Sequence, residues 1–171
     1  MATGDETGRI NVFNYATSQL VNSYDGFSSE ITCCTYSKDE RYLFIGSGAG
    51  SIIVWDVEQC RVVLTFKEHL SKCSCIASQD CSLSGNHLLA SGSVDTKVKI
   101  WDLRTKNSIH TLKNHTKPVS EVKISEGAEQ DMYVASSSSD SYIKICNLRT
   151  GRNIASLRHD SSSIQTIAIN S

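Results

Sequence analysis

A chain of 171 residues with 17 basic and 18 acidic side chains carries a formal net charge of −1, so nothing in its overall field would gather nucleic acid or an acidic membrane. Its length and its 39% hydrophobic content suffice for a core without disulfides. No apolar run approaches the ~18 residues of a membrane span, residues 1–6 lack the basic start and apolar stretch of a signal peptide, and the seven cysteines follow no regular framework, so reduced thiols in a cytoplasmic protein are expected.

In chain order the sequence repeats itself. Residues 1–4 read as the end of a strand, followed by strands at 9–14 and 19–22 within a partial unit at 1–25. A second unit, 29–66, carries strands at 31–36, 42–47, 51–56 and 61–66. A third, 71–112, carries them at 73–77, 88–93, 97–102 and 108–112. A fourth, 117–157, carries them at 119–124, 133–138, 142–147 and 153–157. A last strand is predicted at 164–169, opening another unit at 162–170. The units are aligned by Phe13, Trp55, Trp101 and Cys146, at spacings of 42, 46 and 45. Each aligned segment is β-branched and ends in Asp or Asn, which start turns. Polar or glycine-bearing links such as 48–50 and 94–96 read as hairpins. No stretch keeps a helical period. Four strands per unit of ~40–45 residues is the pattern of a propeller blade. The expected fold is all-β, a partial β-propeller of about four blades of four antiparallel strands.

Trp55-Asp56 and Trp101-Asp102 resemble the closing dipeptides of WD (WD40) repeats. Glu68-His69, Asn114-His115 and Arg158-His159 stand where that family has Gly-His. Within the family, the stretches Gly46-Ser-Gly-Ala-Gly-Ser-Ile-Ile-Val-Trp-Asp56 and Ala90-Ser-Gly-Ser-Val-Asp-Thr-Lys-Val-Lys-Ile-Trp-Asp-Leu-Arg104 are similar to the regulatory subunit of katanin, the microtubule-severing complex.

The resemblance implies a structural hydrogen-bond set of His69, Ser91, Asp95 and Trp101 in the third unit. His115, Ser136 and Asp140 repeat it in the fourth, where Cys146 lacks the indole donor. A Trp N–H, a serine hydroxyl, a neutral imidazole and a carboxylate can form a satisfied chain. The second unit has Ala49 at the aspartate position and no histidine in 24–27, so the third blade is expected to be the rigid one. A His-Asp-Ser trio also suits a hydrolase, but recurrence at blade spacing favours a structural device over catalysis. Cys73, Cys75, Cys81 and His69 could ligate zinc. Small thiols on one strand face, packed in the core, are favoured instead. The glycines at 46, 48 and 50 precede a strand and are no dinucleotide fingerprint. Lys97, Lys99, Arg104, Lys106, Lys113 and Lys117 form a local basic excess, read as a solvated face.

No catalytic residue, cofactor or metal is therefore expected. Partner contacts are expected on the top-face loops, at Ser29, Ser71, Val94, Lys117, Ser139 and Ser161. The resemblance implies a non-enzymatic scaffold with protein partners, microtubule-associated or katanin components, in the cytoplasm at the cytoskeleton, centrosome, spindle pole or cilium. The alternative is a WD-repeat adaptor of a ciliary, ubiquitin-ligase or signalling assembly; a propeller enzyme ranks last. Nucleic acid and membrane are not expected partners. About four blades are too few for the usual ring, so a piece of a larger propeller is favoured. After it come a half-propeller completed by a second copy through open blade edges and a four-bladed ring.

Overall fold

The computed structural model describes residues 1–25, 27–81, 86–126, 132–160 and 163–169; at 80, 81 and 86 it describes the backbone alone. Among these residues there is no helix. Strands β1 (Ala2–Gly4), β2 (Arg9–Phe13) and β3 (Leu20–Asp25) form a three-stranded sheet in sequence order. Three four-stranded sheets follow. The second blade is β4 (Ile31–Tyr36), β5 (Tyr42–Ser47), β6 (Ile52–Asp56) and β7 (Arg61–Phe66). The third is β8 (Cys73–Cys81), β9 (Asn86–Ser93), β10 (Val98–Asp102) and β11 (Ser108–Leu112). The fourth is β12 (Val119–Ile124), β13 (Tyr133–Ser138), β14 (Tyr142–Asn147) and β15 (Asn153–Arg158). All neighbours are antiparallel, and β1 meets β4, β4 meets β8 and β8 meets β12 between blades. This is a partial WD-type propeller.

The second-to-third-strand hairpins close over one residue of positive φ at an equivalent place: Gly8 (82°), Gly50 (79°), Thr96 (71°) and Ser141 (70°). Glycine adopts that conformation freely, whereas Thr and Ser must be held there. Thr96 and Ser141 each follow an aspartate whose carboxylate accepts the next N–H, Lys97 N to Asp95 and Tyr142 N to Asp140, both at 3.0 Å. Gly50 follows Ala49 and needs no such clamp. In the third and fourth blades the aspartate thus supports a non-glycine turn, and in the first blade Asp5 accepts the Arg9 N–H beyond Gly8 at 2.9 Å.

Three apolar layers lie between successive sheets. In β6 and β10 every residue is buried, because both faces of a blade are covered. Gly46 of β5 and Gly92 of β9 let the next blade come close. A Cβ on Gly46 would lie 2.5 Å from Cys33 Sγ and 2.9 Å from Cys73 Sγ; one on Gly92 would lie 2.5 Å from Val119 Cγ1. Across the same junctions the Thr32 hydroxyl donates to Cys73 O at 2.5 Å and the Ser74 hydroxyl to Val119 O at 2.6 Å.

Two expectations are corrected. Residues 163–169 carry no strand. A strand needs a ladder, and among the described residues none is offered; instead Ile167 N and the Thr166 hydroxyl donate to the Glu121 carboxylate at 2.8 and 2.5 Å. Cys73 and Cys75 do not share a face. The ladder pairs Cys73 with Ser93 and Cys75 with Gly92, so a β-bulge lies between them. Cys73 packs toward the second blade and Cys75 toward the fourth.

Candidate functional site

The third blade brings its four polar residues into one chain on the face toward the second blade. His69 leaves the loop before β8, Ser91 sits in β9, Asp95 in the hairpin and Trp101 in β10. His69 Nδ1 lies 3.0 Å from Asp95 Oδ2 and Nε2 lies 2.8 Å from Ser91 Oγ, which also accepts Trp101 Nε1–H at 2.9 Å. A single assignment satisfies every group: Nδ1–H donates to the carboxylate, the serine donates to Nε2, and the indole donates to the serine. Asp95 also accepts Leu70 N at 2.9 Å, tying the entering loop to the hairpin. Burial pushes His69 below its ordinary value, outweighing Asp95 beside it. Burial would raise Asp95, but the Leu70 N–H, His69 and the Lys97 N–H together hold it low. Ser91 is fully buried and committed to the indole, so it reaches no substrate.

The fourth blade repeats the set: His115 Nδ1 is 2.9 Å from Asp140 Oδ2 and Nε2 is 2.9 Å from Ser136 Oγ. In place of an indole donor, Cys146 receives the Asn114 side-chain N–H at 3.1 Å. In the second blade the set is replaced by apolar groups. Trp55 remains, and Tyr24 packs against it at a tilt with ring centroids 4.3 Å apart and meets Phe27 edge-on at 5.3 Å. Beside Ala49 a cavity of about 200 Å³ opens, lined by Tyr24, Phe27, Ser29, Ala49, Ile53 and Lys67.

The expected contact residues lie where the loop entering each blade meets its hairpin. Val94 N donates to Lys72 O at 3.0 Å and Ser139 N to Pro118 O at 3.2 Å. Lys117 and Val94 are exposed, Ser29, Ser71 and Ser139 half-buried, and Ser161 lies outside the described residues.

Lys99 does not belong to a solvated basic face. It is buried, donates to Glu68 at 2.8 Å and Thr111 at 2.9 Å, and lies over the Trp101 ring. Glu68 in turn accepts the N–H and the hydroxyl of Ser108 at 2.7 and 2.6 Å. This brace between the entering loop and β11 was not read from the sequence. Its signal was a lysine alternating with the buried Val98 and Ile100. No group of three or more metal-ligating side chains occurs among the described residues; the Cys81 side chain lies outside them.

The whole chain, residues 1–171, matches the family described as nucleolar protein 10-like, N-terminal domain. It is similar to the U3 small nucleolar RNA-associated protein 15 homolog of Gallus gallus, 27% identical over 71% of this chain and 23% of that protein. It is similar to periodic tryptophan protein 2 of Arabidopsis thaliana, 28% identical over 71% of this chain and 13% of that protein. COMPASS component SWD3 of Saccharomyces cerevisiae is 28% identical over 75% of this chain and 42% of its own length. The chain thus spans less than half of each of these relatives. The expected cytoplasmic location, with the cytoskeleton, centrosome, spindle pole or cilium as finer choices, is overturned by the nucleolar family match and the small-nucleolar-RNA-associated relative.

Proposed function

The chain belongs to the nucleolar protein 10-like N-terminal propeller family, and from that premise we propose that it is a non-catalytic scaffold of a nucleolar assembly that acts on ribosomal RNA precursors. The observation that carries the reading is a family match over the full chain, supported by the U3-associated relative. The polar sets fit this role: they are spent internally, and they hold rim loops rigidly for partners. The proposed contacts are Ser29, Ser71, Val94, Lys117 and Ser139, together with the cavity beside Ala49.

The katanin-type role is a different assignment of the same scaffold. The stretches that suggest it, 46–56 and 90–104, form the β5–β6 and β9–β10 hairpins, whose strands are almost wholly buried. Packing dictates such text, so it carries little information about a partner. The test is expression of the tagged chain with imaging and pull-down. Nucleolar enrichment with recovery of pre-ribosomal RNA-processing components is expected. Exclusion from the nucleolus, or co-sedimentation with microtubules, overturns the reading.

A further inference from the structure

We propose that Cys33 and Cys73 form a reversible disulfide site that staples the second blade to the third. Their Sγ atoms lie 3.9 Å apart across the β4–β8 junction. Both fill the space that Gly46 leaves by lacking a Cβ. At the next junction the residue matching Cys33 is Cys75, and it meets Val119, so this junction alone pairs two cysteines among the described residues. Closing the bond needs side-chain rotation that brings the sulfurs to ~2.05 Å.

The two thiols are unequal. Contact with Cys73 lowers the Cys33 thiol against the effect of burial, with help from the Thr32 hydroxyl and Lys72. Cys33 and burial push Cys73 well up. Cys33 is also the more accessible of the two. It is therefore the attacking sulfur toward a peroxide. The Cys33 thiolate attacks one peroxide oxygen, the O–O bond breaks, and hydroxide leaves with a proton as water. The resulting Cys33 sulfenic acid is attacked by Cys73 sulfur; the S–O bond breaks, and hydroxide takes the Cys73 proton as a second water. Two thiols lose one electron each, and the peroxide gains two. In a reducing compartment a dithiol reductant reverses the step.

The test oxidises the folded full chain with hydrogen peroxide in a C34S/C60S/C81S background, which removes the two thiols exposed among the described residues together with Cys81. A Cys33–Cys73 cross-linked peptide is expected, with a mass loss of about 2 Da and disappearance of two alkylatable thiols. C33S and C73S, each checked for folding by circular dichroism, lose the product. V119C gains a second cross-link, to Cys75. The proposal is overturned if Cys33 and Cys73 stay alkylatable, if the link forms only in urea, or if V119C cross-links while the native pair does not.

Discussion

Asp95→Ala in the third blade isolates what the polar chain contributes. The carboxylate accepts His69 Nδ1–H at 3.0 Å, Leu70 N–H at 2.9 Å and Lys97 N–H at 3.0 Å. The His69 side chain is 0% exposed, so its donor cannot turn to water, which costs about 1–3 kcal/mol. The two backbone donors sit nearer solvent and lose about 0.5–1.5 kcal/mol each. The expected destabilisation is about 4 kcal/mol, in the range for breaking a buried pair. The second blade supplies the control, since it lacks both members and places Phe27 and Ala49 there. H69F/D95A is therefore expected to cost at least ~1.5 kcal/mol less than its two single variants summed, because no donor is left stranded. Urea unfolding followed by tryptophan fluorescence, with amide exchange to localise the loss, measures all four species. A cost below about 1 kcal/mol for D95A, or additivity within about 0.5 kcal/mol, refutes the buried-donor argument.

Stability should also follow pH. Burial lowers His69 and His115 below 6.5, so the unfolded chain binds more protons as pH falls through that value; stability is full above about pH 7 and declines below about 6.5, and H69F/D95A should flatten the slope seen in urea midpoints between pH 7.5 and 5.5. Asp95 and Asp140 are held below 3.8 against burial by their N–H donors, so a second decline should begin below about pH 4. Gly46→Ala puts a Cβ 2.5 Å from Cys33 Sγ and should cost about 1–3 kcal/mol in urea unfolding; a neutral result would mean the junction is looser than described. Lys99→Ala strands Glu68 beside Ser108 and should cost about 1–3 kcal/mol by thermal unfolding, with loss of β11 protection first. Amides of β14, mostly half-buried, should exchange faster than those of the fully buried β6 and β10; equal rates would refute the ranking.

Much of the fold was legible because its signals are local. β-branched runs ending in Asp or Asn mark β6, β10 and β14, and the spacing of Phe13, Trp55, Trp101 and Cys146 sets the blade period. The polar chain was legible for the same reason: His, Ser, Asp and Trp recur in phase. What sequence could not supply depends on neighbours. The bulge that parts Cys73 from Cys75 adds no residue type that marks it, and alternation then predicts the wrong face. Lys99 reads as a surface charge until Glu68, 31 positions away, is seen against it. The second blade was read as a polar set with parts missing. Tyr24, packed against Trp55 and Phe27, shows an apolar replacement instead.

The junction glycines bear on how such a chain can grow. The second and third blades each carry both halves of a joint: a gap in the second strand, and a first-strand residue that fills the gap behind it, Ile31 at Gly4 and Cys73 at Gly46, while Val119 of the fourth blade fills the gap at Gly92. Copying one unit therefore copies a matching plug and socket, and the new unit seats without redesign of its neighbours. Because each joint involves only adjacent units, selection can tune them one at a time. One could be made chemically reactive and another inert, while the period that keeps all of them in line stays untouched.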